Sequence, residues 1–98
     1  MALTVLSRWK GSREDIMRVA GKMKPIIERL GAEYMRVGLA YSGPFTGQWV
    51  VAMRYSDWTT YGKAQDAAAS DDDFQATYAE ALKVGEIQGR SIIVSVLD

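Results

Sequence analysis

Ninety-eight residues, 48% of them hydrophobic, make a chain of single-domain size with enough apolar matter for one core. Its twelve basic and twelve acidic side chains cancel, so no positive field exists to draw in nucleic acid or an anionic membrane surface. Cysteine, histidine and asparagine are all absent, which removes disulfides, thiol nucleophiles, histidine triads and the usual zinc, copper and haem ligand sets.

The start Met1-Ala2-Leu3-Thr4-Val5-Leu6 is too short and lacks the basic leader of a signal peptide. No apolar run approaches the ~18 residues that a membrane-spanning helix needs. The expectation is a cytoplasmic protein with no membrane or nucleic-acid partner, no metal and no resident cofactor.

Residues 2–9, rich in Leu, Val and Thr and ending at Lys10-Gly11, predict a strand. Ser12 then opens a helix: its hydroxyl can accept from a free N–H of the first turn, and Asp15 adds charge suited to the positive helix end. Apolar residues follow at Ile16, Val19, Ala20, Met23, Ile26 or Ile27, and Leu30, the stripe of a helix with one buried face. Pro25 removes one helical hydrogen bond and predicts a kink near residues 21–24, and Gly31 is a stop.

Residues 33–42 and 48–56 predict two further strands. Gly43-Pro44-Phe45-Thr46-Gly47 between them is a turn, so the pair should form an antiparallel hairpin. Asp57 caps the next helix, which carries Trp58, Tyr61, Ala64 or Gln65, and Ala68 on one face. Residues 70–73 repeat the start signal, so the helix breaks and restarts before Phe74, Thr77, Tyr78, Ala81 and Leu82. After Gly85, residues 91–97 predict the last strand.

The order is βαββαβ, with both helical segments on one face of a four-stranded antiparallel sheet, the ferredoxin-like α+β plan for a single domain spanning residues 1–98. The second face does not turn polar. Trp49, Val51 and Met53 oppose Val50 and Ala52, and Ile92, Val94 and Val96 oppose Ile93 and Leu97. An apolar sheet left open invites aggregation, so a homodimer joined through this face is expected. The alternative is that the C-terminal strand and loops fold over it.

Six residues stand out as candidate ligand contacts: Tyr41, Trp49, Arg54, Tyr55, Trp58 and Tyr61. One residue links the third strand to the following helix, so their side chains can gather between sheet and helix, with Ala64, Ala67, Ala68 and Ala69 leaving room. Aromatic residues at strand and helix spacing are usually core packing. The polar tips favour a pocket, because Tyr hydroxyls and indole N–H groups need partners that a planar ligand supplies. Arg8, Arg36, Arg54 and Arg90 all fall on or beside strands, Arg36 and Arg54 on paired ones, where one can hold a carboxylate or polarise a carbonyl; such residues more often sit at sheet edges or in ion pairs with Glu33, Asp57 or Glu86. Asp71-Asp72-Asp73 lacks the spaced ligand series of a calcium loop and fits helix capping. The glycines around Pro44 are not followed by the Gly-Lys-Ser/Thr of a phosphate loop.

The stretch Trp49-Val50-Val51-Ala52-Met53-Arg54-Tyr55-Ser56-Asp57-Trp58-Thr59-Thr60-Tyr61, followed by Ser70-Asp71-Asp72-Asp73-Phe74-Gln75, resembles the dimeric α/β-barrel superfamily. Its nearest flavours are the NIPSNAP-like and antibiotic-biosynthesis-monooxygenase-like domains, and the resemblance spans nearly the whole chain. It implies the ferredoxin-like fold and sheet-to-sheet pairing. Members include cofactor-free oxygenases of polycyclic phenols, haem-degrading enzymes and isomerases. Such oxygenases use an Asn, a Trp and a Tyr or Arg around the substrate. Trp58 is similar in placement to that Trp, with Tyr61, Tyr41 and Arg54 as neighbours, whereas the Asn and the haem-ligating His have no counterpart. The expected function is binding of a small apolar or aromatic ligand between sheet and helices. The alternative is a cofactor-free monooxygenase or isomerase of an enolisable aromatic, with Arg54 on the enolate and Tyr55 or Tyr61 passing protons.

Overall fold

The computed structural model describes residues 1–97. Seven elements follow in order: β1 (Leu3–Gly11), α1 (Arg13–Leu30), β2 (Tyr34–Leu39), β3 (Trp49–Tyr55), α2 (Trp58–Ala69), α3 (Asp72–Val84) and β4 (Gly85–Val94). The strands make one sheet in the order β2-β3-β1-β4, every neighbouring pair antiparallel. This is the ferredoxin-like arrangement.

The capping chemistry lies where the sequence puts it. Ser12 Oγ accepts from Asp15 N at 3.1 Å, and Asp57 Oδ1 accepts from Thr60 N at 2.7 Å. Gly31 ends α1 at φ 131°, a conformation open chiefly to glycine, and its N–H donates back to Glu28 O. The restart between α2 and α3 is led by Asp71, whose Oδ1 accepts from Phe74 N at 2.9 Å; Ser70 instead closes α2. α1 passes Pro25 as one uninterrupted helix. The hairpin between β2 and β3 is closed by Ala40 and Gly47 N–H bonds, with Gly43 and Gly47 both at positive φ.

β4 differs from expectation. It begins at Gly85 and ends at Val94, so Ser95, Val96 and Leu97 lie past the strand. A bulge opposite Arg8 and Trp9 interrupts its register with β1. Two glycines and the alternation Glu86, Gln88, Arg90 hide the first half of this edge strand from an apolar-pattern reading.

All three helices pack on the face carrying Leu3, Val5, Ser7 and Trp9 of β1, Val51, Met53 and Tyr55 of β3, and Met35 and Val37 of β2. Ile16, Met23 and Ile27 of α1 close over them. α3 lies antiparallel to α1, tied by Arg18 and Lys22 to Glu80 and by Arg29 to Asp71. α2 is held differently: its buried residues are two alanines, Ala64 and Ala68.

The opposite sheet face is mixed. Leu6, Val50, Ala52 and Ile93 occupy it beside Thr4, Ser91, Tyr34, Arg8, Arg36 and Arg54, as the pairing registers require. Among the described residues no helix lies on this face: the helices account for the other one.

Candidate ligand-binding site

A cavity of about 90 Å³ lies between the helix-bearing sheet face and the three helices. Its floor is Val5, Ser7, Val51, Met53 and Tyr55; its roof is Ile16, Ala20, Met23 and Ile27 of α1. Phe74 and Tyr78 of α3, stacked with ring centroids 5.8 Å apart, form one side. Gln65 of α2 and Arg90 of β4 are exposed lining residues and mark where the cavity meets solvent.

The lining is hydrocarbon with a few polar atoms. Ser7 is buried, and its Oγ accepts from Trp9 Nε1 at 2.9 Å, so both groups are satisfied. Tyr61 OH accepts from Gln65 Nε2 at 2.9 Å. Tyr55 is 3% exposed, and among the described residues its hydroxyl has no hydrogen-bond partner. That hydroxyl is not sealed in protein either, since no fully buried side-chain oxygen lacks a partner. It therefore opens onto the cavity. The Tyr55 and Tyr61 rings meet edge-on at 5.1 Å. Burial pushes the Tyr55 hydroxyl above the ordinary phenol pKa, Tyr61 adds to this, and the Arg90 charge opposes it.

An engineered apolar cavity of ~150 Å³ takes benzene; this one, at about 90 Å³, takes a short branched chain, or a single ring that stays partly in the mouth. A fused-ring molecule needs a wall to move. α2 is that wall: its buried residues are two alanines, and Tyr61 is its one large side chain packed on the core, whereas α1 buries four large apolar residues.

The six candidates named from sequence divide. Tyr55 and Tyr61 come together in the cavity lining. Trp58 touches Tyr61 edge-on at 6.1 Å but is 52% exposed and lies outside the lining. Trp49 shares the helix-side face, yet it sits at the far end of β3, roughly 20 Å along the strand from Tyr55. Its Nε1 donates to Gly11 O at 3.0 Å. Arg54 lies on the opposite face, as a neighbour of Tyr55 in an extended strand must, and faces Glu33 at 3.7 Å. Tyr41 falls beyond the end of β2 and is 90% exposed. The alanines of α2 do not make room: Ala67 and Ala69 are exposed, and Ala64 and Ala68 bring the helix close.

Sequence reasoning missed Ser7, Gln65, Phe74, Tyr78 and Arg90 as lining residues. For Arg90 a signal existed: it shares the parity of Ile92 and Val94, the apolar side of the last strand.

A second hollow of about 240 Å³, more open, runs along the outside of α1 and β2 by Met17, Gly21 and Val37. Its one charged lining group, Lys24, is already bonded to Glu28 Oε2 and Met35 O. No group of three or more acidic, His or Cys side chains among the described residues is placed to hold a metal, and no described helix is long and apolar enough to cross a membrane.

The carboxylates set the pH response. Asp15, Glu28, Asp57, Asp71 and Glu80 are all held below the ordinary carboxylate range, chiefly by hydrogen bonds from Arg18, Lys24, Thr60 N, Phe74 N and Lys22 respectively. The folded state thus binds their protons less tightly than the unfolded chain. Their contribution is complete above the unfolded values of about 4 and is lost as pH falls through the folded ones. With no histidine in the chain, no side chain of ordinary pKa titrates between pH ~5 and ~8. The urea midpoint should therefore be flat over that interval and decline below it. A step between pH 6 and 7.5, or no acid decline, would contradict this. Salt should weaken the acid effect, since the pairs are exposed.

No family model and no curated protein matches the chain. Solved structures match it over nearly their whole length. Rv0793 from Mycobacterium tuberculosis is 10% identical with a TM-score of 0.72, covering 100% of this chain and 98% of that one. SnoaB from Streptomyces nogalater, a cofactor-independent oxygenase, is 10% identical with a TM-score of 0.75, covering 99% and 95%. An uncharacterised NIPSNAP domain protein from Burkholderia xenovorans is 17% identical with a TM-score of 0.72, covering 96% and 94%. These identities speak for the fold alone, the ferredoxin-like α+β fold that the chain shares with these proteins.

Proposed function

We propose that this protein binds a small apolar or aromatic ligand in the cavity between sheet and helices, working as a homodimer joined through its open sheet face. The observation that carries the ligand reading is the Tyr55 hydroxyl: on a residue only 3% exposed, it has no hydrogen-bond partner among the described residues and opens onto an apolar cavity. A phenol in such a place costs free energy until something accepts its hydrogen bond. Pairing is supported by Leu6, Val50, Ala52 and Ile93 on the face that no helix covers, Ile93 being 55% exposed.

Native mass spectrometry tests both parts at once. The expected spectrum is a dimer that takes up one small aromatic molecule per chain, with uptake reduced by filling the cavity through Ala81→Phe. A monomer at low micromolar concentration would defeat the pairing, and an unfilled dimer at millimolar aromatic probe would defeat the ligand reading.

A second reading is favoured by the fold shared with SnoaB. The same cavity would hold an enolisable aromatic whose own enolate reduces oxygen, with Tyr55 and Tyr61 as the proton-handling pair. Arg54 has no part in it, being on the other side of the sheet. Three-ring substrates exceed the cavity and would require α2 to swing outward. Oxygen uptake with hydroquinones and anthrones, absent in a purely binding protein, separates the two readings.

A further inference from the structure

The four arginines on or beside strands have different company. Arg8 donates to Gln48 Oε1 at 2.9 Å and lies over the Phe45 ring at 3.8 Å. Arg36 lies 4.0 Å over the Tyr34 ring, and Arg54 pairs with Glu33. Arg90 alone among them has no hydrogen bond, ion pair or ring contact with the described residues. Register places it opposite Ser7, on the helix-bearing face, and it is an exposed member of the cavity lining. A guanidinium with five donors and no hydrogen-bond or ion-pair partner among the described residues stands at the mouth of a cavity onto which Tyr55 OH, also without a hydrogen-bond partner among them, opens.

Both groups ask for the same complement. Arg90 can only donate and Tyr55 OH can donate, so both take a ligand's lone pairs, and a fixed positive charge at the rim favours a full negative charge. Arg90 and Tyr55 line the same cavity, Arg90 at its mouth and Tyr55 on its floor. We propose that Arg90 selects anionic ligands: the site takes compact aromatic or branched-chain carboxylates, whose apolar body enters between sheet and helices while the carboxylate stays at the mouth on Arg90. The inference rests on the cavity being a ligand site.

The test uses the full chain and a matched pair of probes, benzoate and its neutral isostere benzamide, titrated at pH 7 and low salt while backbone amide NMR shifts are followed. Benzoate should bind the wild type about tenfold more tightly than benzamide, the effect of one charge-assisted contact. Arg90→Gln should abolish that preference, lowering benzoate affinity about tenfold more than benzamide affinity; as an exposed position, it should not impair folding. Raising the ionic strength should shrink the preference in the wild type only. If benzamide perturbs Tyr55, Tyr61 and Gln65 but benzoate is not preferred, or if the preference survives in Arg90→Gln, the assignment of Arg90 is overturned while the cavity remains a ligand site. If neither probe perturbs the cavity residues, both ideas fall together.

Discussion

Trp9→Ala should lower the stability of this protein by about 3–5 kcal/mol, the usual cost of removing a buried aromatic side chain. Trp9 is 8% exposed, lines the cavity and holds the buried Ser7 hydroxyl through its indole N–H. Alanine therefore removes three things: apolar contact, a wall, and the donor to Ser7, whose oxygen is left without its partner. Domains of this size are worth only about 5–15 kcal/mol in all, so the loss should show as a fall of tens of degrees in Tm. The variant has a signature of its own. It enlarges a cavity that can already admit a small guest, so indole or benzene should raise the Tm of Trp9→Ala more than that of the wild type. Thermal scans with and without indole check both halves. A loss below 1 kcal/mol, or no stabilisation by indole, would show that Trp9 is not part of the packed wall.

Leu3→Ala is the second large effect, about 2–5 kcal/mol. Leu3 is 0% exposed and sits in the central strand β1, paired with Tyr55 on one side and Val94 on the other. A hole here lies at the end of the sheet that carries Tyr55, between two strands that cannot collapse inward without breaking ladder bonds. Urea denaturation should report a lower midpoint with an unchanged slope. Leu3→Met, which nearly conserves volume, should cost less than about 1.5 kcal/mol. Equal losses for the two variants would point to backbone disruption rather than a cavity.

The order of elements was legible because it is written in strong local chemistry. Ser12, Asp57 and Gly31 each cap or stop a helix by a bond that the sequence already implies. The break between α2 and α3 was equally plain, although the capping oxygen belongs to Asp71 rather than Ser70. β4 was half hidden, since its early residues are glycine and charged or amide side chains that an edge strand tolerates and an apolar pattern does not reveal.

The site was less legible than the fold, for a geometric reason. Clustering aromatic residues by sequence proximity ignores which way a strand turns each side chain. Tyr55 and Tyr61 met because a strand end and a helix turn converge on one side of the sheet. Arg54, one position away, could not join them. Arg90 and Ser7 come from distant positions and become neighbours only through the β1–β4 pairing, a long-range fact.

The irregularity in that pairing carries a consequence for how such a chain can change. Ile87 pairs with Trp9 and Arg90 with Ser7, so residues three apart on β4 look toward the helices, which regular alternation forbids. The extra residue between them is Gln88, opposite nothing on β1. Loss of a single codon there would restore strict alternation and force a choice. Either Ile87 stays inward and the arginine turns to the outer surface, or the arginine stays and the isoleucine is turned out. One inserted residue thus lets a partly exposed isoleucine and a charged rim share the helix-bearing side of one strand, and its deletion would trade one for the other without touching either side chain.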